Sequence, residues 1–327
     1  MRKVAILTSG GDSPGMNSSL YSFSKLATSK NFEVIYVQDG YQGLIEKRYA
    51  NLNLGCLREK TYNAGTVIGS SRSSQFRSSA ELRECGIKAL KDKGVEALVV
   101  LGGNGSYEGA KLISQSGLPV ILLPATIDND VSSTKYTIGF FSALEEIGQA
   151  IKKIWYTANS HSQLTIVEVM GRDCSDLGVM ASFSSPLVEL VITQQNVPSY
   201  EQLRDKIKEI KSFKGNKGLV IVVVEKILGV IKLPSMSELT KKLEEDLGFT
   251  VRGCSLGHVQ RGATPTTWEM YVASSFGVEA FNSFEKREFN VAIGFDGDSF
   301  YRTNLSELID KSKGDRTSLV EFKCKFS

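Results

Sequence analysis

No apolar run in this chain approaches the roughly 18 residues that a membrane-spanning helix needs; the longest, such as Ala97–Leu101 and Leu219–Val224, stop after five or six. No transmembrane segment is expected. The opening MRKVAILTSGGDS has two basic residues but only a short apolar stretch before glycine and aspartate, so it carries no secretory leader pattern, and a cytoplasmic location is expected. Cysteine is scarce: Cys56, Cys85, Cys174, Cys254 and Cys324 are odd in number and widely spread, and form neither a CxxC pair nor a cluster with either histidine. A disulfide framework and a structural zinc site are disfavoured. Proline is rare as well, 7 in 327 residues, and no Pro-rich tract, repeat or low-complexity segment marks a linker. Nor is there an excess of charge. With 39 Lys+Arg against 36 Asp+Glu the net charge is +3, too small and too evenly spread for a nucleic-acid footprint.

What is present is a 41% apolar chain with 30 glycines, long enough for one large or two ordinary domains. Short β-branched runs alternate with longer amphipathic segments, the pattern of parallel strands joined by crossover helices. The fold class is α/β. Strands are expected at Val4–Thr8, Glu33–Val37, Ala97–Gly102, Val120–Pro124, Leu164–Val169, Leu187–Ile192, Leu219–Val224 and Asn290–Phe295. Leu203, Ile207 and Ile210 lie at helical spacing within 198–212, and Ser235 with Glu238 forms a capping box opening a helix over 235–247. So many strands exceed one modest sheet, and two α/β layers are expected.

The glycines carry the information. Three expected strands run into Ser9-Gly-Gly-Asp-Ser-Pro-Gly-Met-Asn17, Gly102-Gly-Asn-Gly-Ser-Tyr-Glu-Gly109 and Pro124-Ala-Thr-Ile-Asp-Asn-Asp130. Ligands of doubly wound sheets bind outside the carboxyl ends of strands, where glycine lets backbone N–H groups approach a phosphate. GxxxxGK[ST] is absent, and Gly103, Gly105 and Gly109 miss the GxGxxG spacing by one residue, which removes a dinucleotide-dependent dehydrogenase. One such loop alone is better read as a tight turn. Three together, with acids and amides on neighbouring strand ends, read as a phosphate site.

Asp128 and Asp130 flank Asn129 just beyond an apolar strand, where a carboxylate accepts a proton from an attacking hydroxyl or holds a metal near phosphates. The same triplet serves equally as an Asx-turn or a helix cap. Arg72, Arg77, Arg172, Arg252 and Arg261 follow or flank glycine-rich segments, a placement suited to bidentate phosphate contact; for any one of them a solvated ion pair is the simpler account. His258 fits a buried ring as well as a ligand, and His161 is assigned nothing.

Taken together, Leu7-Thr-Ser-Gly-Gly-Asp-Ser-Pro-Gly-Met-Asn17, Gly65-Thr-Val-Ile-Gly-Ser-Ser-Arg72, Gly102-Gly-Asn-Gly-Ser-Tyr107, Thr126-Ile-Asp-Asn-Asp130, Val167-Glu-Val-Met-Gly-Arg172 and Leu256-Gly-His-Val-Gln-Arg-Gly262 resemble, in order and over most of the chain, the motifs of the bacterial-type 6-phosphofructokinases. The resemblance implies two Rossmann-like three-layer domains: 1–139 with 257–303 for the nucleotide and 140–256 with 304–327 for the sugar phosphate. It implies transfer of the ATP γ-phosphoryl group to the C1 hydroxyl of fructose 6-phosphate with Mg²⁺. Asp128 would be the base, aided by Thr126 and Asp130, with Arg72 and Arg172 on the transferred group. ATP would lie against Gly11, Tyr41, Arg72, Ser73, Arg77, Gly103, Asn104, Gly105 and Ser106. The sugar phosphate would meet Thr126, Ile127, Asp128, Gln163, Met170, Gly171, Arg172, Glu225, Arg252, His258, Val259, Gln260 and Arg261. Arg252 would reach the 6-phosphate of a neighbouring subunit, which implies a homo-oligomer, a tetramer in most of the family.

The chain also departs from the pattern. Asn104 replaces a metal-associated aspartate, offering a neutral oxygen. Gln163 replaces the second arginine lent to the neighbour's phosphate, a loss of ~1–2 kcal/mol, roughly tenfold in binding. Ala125 stands in place of a glycine. Tyr21, Leu54 and Trp155 stand where relatives use arginines for an ADP or phosphoenolpyruvate effector, with only Lys25 still charged, which implies weak regulation. Gly105 and Ala125 are small where pyrophosphate-using relatives carry an acid and a lysine, which favours ATP. Asn104 and Gln163 also motivate a rival, a catalytically weakened subunit of such an assembly. The intact Thr126–Asp130 segment and its arginines oppose it.

Overall fold

The computed structural model describes residues 2–308, which form two compact units: 2–142 with 261–308, and 143–260. The strands are β1 (Arg2–Ser9), β2 (Phe32–Val37), β3 (Tyr49–Ala50), β4 (Val95–Gly102), β5 (Val120–Pro124), β6 (Leu164–Val169), β7 (Leu190–Ile192), β8 (Leu219–Val224), β9 (Val251–Ser255), β10 (Val291–Phe295) and β11 (Phe300–Asn304).

The first unit is built on a seven-stranded sheet in the order β11-β10-β5-β4-β1-β2-β3, parallel except for its edge strands β3 and β11. Val4–Leu7 and Ala97–Leu101 are buried throughout because helices cover both faces, and parallel strands so enclosed read as unbroken apolar runs. One face packs against Phe23, Phe276, Phe281 and Phe284, and the other against Ile87, Leu90, Ala110 and Ile113. The strand order reverses beside β1, which leaves a crevice outside the carboxyl ends of β1 and β4. Register keeps those ends level: Ser9 pairs with Gly102, and Gly102 with Pro124. The three glycine-rich loops therefore emerge side by side.

Helices Met16–Ser29 and Thr267–Glu285 meet closely. Ser19 Oγ donates to the Ala273 carbonyl at 2.6 Å and Ser22 Oγ to the Ser274 carbonyl at 2.9 Å. A Cβ at Gly277 would collide with Ser22 Oγ and the Ser19 carbonyl, so the small residues are what permit this approach.

The second unit has a four-stranded parallel sheet, β7-β8-β6-β9. Helices Tyr200–Lys214 and Met236–Leu247 start with reciprocal capping boxes, Ser199 with Gln202 and Ser235 with Glu238. The first buries the apolar positions read from the sequence, Leu203, Ile207 and Ile210, and the second buries Leu239 and Leu243.

Three strands were not expected. β3, β9 and β11 are edge strands, and β9 buries only Val251, so none carries an apolar run. The strand expected from Leu187 starts at Leu190, because Val188 N–H turns back to the Ser185 carbonyl at 3.3 Å. Residues 304–308, expected with the second domain, lie against the first unit, where Leu305 N–H donates to the Asn290 carbonyl at 2.9 Å and its side chain enters the core. The remainder of that expected segment, 309–327, lies outside the described residues. Among the described residues no helix is long and apolar enough to cross a membrane.

Candidate active site

In the first unit the loop after β1 turns at Gly10 and Gly15, with φ of 88° and 92°, values at which a side chain would be strained. It is fastened to the segment before Arg72: Gly10 N–H donates to the Ser71 carbonyl at 3.3 Å, and Ser70 Oγ to the Gly10 carbonyl at 2.8 Å. Thr8 Oγ1 and Ser71 Oγ hold the same segment through the Gly69 and Asp39 carbonyls, both at 2.7 Å. Arg72 projects exposed beyond it. Ser73 caps the short helix Ser74–Ser78, accepting from Phe76 N–H at 3.0 Å, and Arg77 at its end donates to the Gly105 carbonyl at 3.1 Å.

Tyr41 sits beneath this group. Its ring stacks on Phe76 at 4.3 Å, its hydroxyl donates to the Ser106 carbonyl, and only 5% of it is exposed. Burial pushes its phenol well above the ordinary range. Tyr41 thus forms the wall that supports Ser106 and Phe76. Gly109 makes room for it, since a Cβ there would strike the tyrosine ring.

Gly103 precedes helix Asn104–Gln115, whose first N–H groups face the strand ends as a ready anion site. Ser106 Oγ donates to the Ser9 carbonyl at 3.0 Å, joining this loop to the first. Asn104 Nδ2 donates to the Asp130 carbonyl at 3.1 Å, which joins it to the third.

After β5 the chain is pinned at nearly every residue. Thr126 N–H donates to the Ile138 carbonyl at 3.0 Å, and its hydroxyl accepts from Asp128 N–H at 3.2 Å. Thr137 Oγ1 donates to the Thr126 carbonyl at 2.6 Å, and Thr137 N–H to Asn129 Oδ1 at 3.1 Å. Asn129 takes the left-handed region, φ 53°, which carries the chain through the turn. Ile127 is buried, and Asp128 is 2% exposed. Arg261 Nη2 lies 3.8 Å from Asp128 Oδ2 while Nη1 donates to the Asp12 carbonyl at 3.0 Å. A Cβ on Gly11 would stand 2.5 Å from that guanidinium, so glycine there admits the arginine. Gly11, Asp128 and Arg261 are thus brought together, as are Asn104 with Asp130 and Arg77 with Gly105.

Missing from the sequence reading was Glu269, fully buried, whose carboxylate accepts from Gly139 N–H at 2.7 Å, Ser142 N–H at 3.1 Å and Ser142 Oγ at 3.3 Å. Burial pushes its carboxyl up to about 7, against the N–H donors that pull it down. Thr266-x-x-Glu269 has the spacing of a capping box, but only Thr266 Oγ1 caps the helix, accepting from Glu269 N–H, while the carboxylate serves Gly139 and Ser142 instead.

In the second unit the carboxyl end of β6 makes the turn Met170-Gly171-Arg172, with φ of 141° at Gly171 and 50° at Arg172. Glu225, after β8, accepts from Gly171 N–H at 3.3 Å and Arg172 N–H at 2.9 Å; Met170 N–H donates to Gln260 Oε1 at 3.1 Å. Gln194 Nε2 donates to the Arg172 carbonyl at 2.7 Å. His258 and Val259 stand exposed on the 3₁₀ turn Gly257–Gly262.

Gln163 and Arg252 are elsewhere. Gln163 precedes β6, and Arg252 pairs with Thr165 near the strand's start, so both lie at the opposite end of the sheet from Met170–Arg172 and Glu225. A six-residue strand separates those ends by roughly 20 Å. Glu244 accepts from Arg252 Nη1 at 3.1 Å and from Val251 N–H at 3.2 Å.

Comparison with known proteins gives a consistent answer. The family model described as Phosphofructokinase matches residues 3–284. An ATP-dependent 6-phosphofructokinase of Photobacterium profundum is 37% identical over 313 residues, 96% of this chain and 95% of the relative. A probable ATP-dependent 6-phosphofructokinase of Mycoplasma genitalium is 37% identical over 320 residues, 98% of each. The solved phosphofructokinase of Saccharomyces cerevisiae superposes with a TM-score of 0.83 at 30% identity over 94% of this chain, which spans 44% of the yeast one.

Proposed function

The chain belongs to the phosphofructokinase family, and on that premise we propose that it is an ATP-dependent 6-phosphofructokinase, converting fructose 6-phosphate and ATP to fructose 1,6-bisphosphate and ADP. The observation that carries the reading is the enclosed Asp128 carboxylate, held beside Arg261 on a loop pinned from Thr126 to Asn129. A loose phosphoryl-transfer transition state asks mainly for positioned groups and charge.

Asp128 takes the proton of the C1 hydroxyl as that oxygen attacks the γ-phosphorus. Thr126 fixes the carboxylate through the Asp128 N–H, and Asp130 holds the Asn104 loop through its carbonyl. Arg261 lies 3.8 Å from the carboxylate and tethers its loop to the Asp12 carbonyl. Arg72 and Arg172 take the oxygens of the transferred group. The nucleotide lies over Gly11, Ser73, Arg77, Gly103, Gly105 and Ser106, with Tyr41 supporting them from below. Met170, Gly171, Arg172, Glu225, His258, Val259 and Gln260 hold the sugar phosphate, joined by Ile127.

Mg²⁺ fits this donor set in one way. Among the described residues no three His, Cys, Asp or Glu side chains converge as a metal cage. A hard cation that keeps several waters needs only one or two protein oxygens besides nucleotide phosphates, and Asn104 Oδ1, the amide atom not engaged with the Asp130 carbonyl, would be one. When bound it neutralises phosphate charge.

The opposite-end placement of Gln163 and Arg252 supports a homo-oligomer, a tetramer by the family's habit, in which Arg252 serves a neighbour's 6-phosphate. ATP and fructose 6-phosphate are cytoplasmic metabolites, which supports that location. The test is the rate of fructose 1,6-bisphosphate formation with ATP or pyrophosphate while Mg²⁺ is varied. ATP-dependent turnover is expected; none with either donor at high Mg²⁺ would make the chain a non-catalytic subunit.

A further inference from the structure

Glu269 is the most deeply enclosed carboxylate of the first unit, and no step assigned above uses it. It stands on helix Thr267–Glu285, yet its oxygens serve a different segment, the start of helix Phe140–Ser160, through Gly139 and Ser142. The bonds around it close into a ring. Ser142 Oγ donates to Glu269 Oε2 at 3.3 Å and accepts from Thr266 N–H at 3.2 Å, while Thr266 Oγ1 accepts from Glu269 N–H at 3.1 Å. A buried carboxylate surrounded by donors holds their geometry more firmly than a neutral acceptor does, because charge-assisted bonds are about twice as strong.

Both ends of the ring lead to the base. Gly139 directly follows Ile138 and Thr137, the residues that pin Thr126 and Asn129 on either side of Asp128. Thr266 lies five residues after Arg261, whose guanidinium faces the Asp128 carboxylate. Gly15, in the phosphate loop, also packs on this side chain, its Cβ position being 3.2 Å from Glu269 Cγ. We propose that Glu269 is a positioning residue for phosphoryl transfer: through Gly139 and Ser142 it sets the loop of Thr126 and Asp128, and through Thr266 it sets the segment that carries Arg261.

The inference rests on the kinase reading, so the test has two independent readouts. In Glu269→Gln, an isosteric change that puts an NH₂ against N–H donors, kcat should fall about tenfold or more with the KM values for ATP and fructose 6-phosphate within about twofold, the size of one lost charge-assisted bond. Ser142→Ala, which removes one hydroxyl and no backbone donor, should give a smaller kcat loss of the same kind; it decides the matter where the glutamine variant does not fold. Hydrogen exchange supplies the second readout: amides of 125–139 should exchange about tenfold faster in either variant. A kcat within twofold of wild type in folded protein, or equal losses in kcat/KM through KM alone, overturns the proposal. Unchanged exchange in 125–139 overturns it even in a chain that turns over no fructose 6-phosphate, whereas faster exchange in such a chain leaves Glu269 in place and removes only the kinase reading.

Discussion

The Arg261 guanidinium lies 3.8 Å from the Asp128 carboxylate and at the same time donates to the Asp12 carbonyl at 3.0 Å, so one side chain spans the loops after β1 and β5. At that distance the pair is electrostatic and not a hydrogen bond. Asp128→Ser should lower kcat about 10²–10⁴-fold, the usual worth of a general base, with binding of ATP and sugar phosphate largely kept. Comparable turnover in the mutant, measured beside equilibrium binding, would remove Asp128 as the base.

Arg261→Lys separates the two contacts. A lysine has one cationic centre and cannot address the Asp12 carbonyl and Asp128 together. Turnover should drop about tenfold with little change in melting temperature. A variant with wild-type kcat would mean that the spanning contact is idle.

Gly109 tests the role of Tyr41. Alanine there would push the ring off Phe76 and off the Ser106 carbonyl, at an overpacking cost of about 1–3 kcal/mol. KM for ATP should rise severalfold while KM for fructose 6-phosphate holds. Equal rises in both would show a general loss of structure and not a nucleotide-side effect.

Asn104→Asp restores a charged oxygen but gives up the amide bond to the Asp130 carbonyl. The Mg²⁺ concentration for half-maximal rate should fall severalfold, and the melting temperature should drop by an amount reflecting roughly 1 kcal/mol. An unchanged Mg²⁺ requirement would show that the side chain never meets the cation.

Glu269 also makes a pH prediction. Its folded value of about 7 stands above the ordinary 4.5, so folding favours the protonated form. The stability this contributes is full below about pH 4.5 and is lost as pH rises through 7, roughly 3 kcal/mol at 1.36 kcal/mol per unit. No charged side chain contributes to the shift; burial opposes the N–H groups of Gly139, Ser142 and Phe141 and the Ser142 hydroxyl. Thermal unfolding at pH 5 and pH 8 should show wild type losing stability relative to Glu269→Gln. A difference that stays constant with pH would contradict the shift.

Much of this was readable beforehand, and for physical reasons. Buried parallel strands such as Val120–Pro124 and Leu219–Val224 must be apolar throughout, so their boundaries showed in the sequence. The three strand-end loops announced themselves because close backbone approach needs glycine. β9 did not, because an edge strand has half its surface open and tolerates Arg252, Gly253 and Ser255. Glu269 was hidden for another reason. Its partners are backbone N–H groups over a hundred residues away, and no local pattern encodes a distant cap. Tyr41 shows the same limit: the resemblance set it among nucleotide contacts, while its enclosure between Phe76 and Gly109 depends on tertiary packing.

The serine-lined contact between helices Met16–Ser29 and Thr267–Glu285 also acts as a gauge. One helix leaves the phosphate loop and the other follows the Arg261 turn, so their mutual register sets how far that arginine reaches. A slip of one turn would carry it about 5.4 Å along the helix axis, beyond the span to Asp12 or Asp128. Gly277 opposite Ser19 and Ser22 admits a single seating, because any neighbouring register would put a side chain where only a hydrogen atom fits. Tuning of this enzyme by mutation is therefore open at a buried helix contact outside the loops, where a methyl group on one glycine changes the spacing of charges that it never touches.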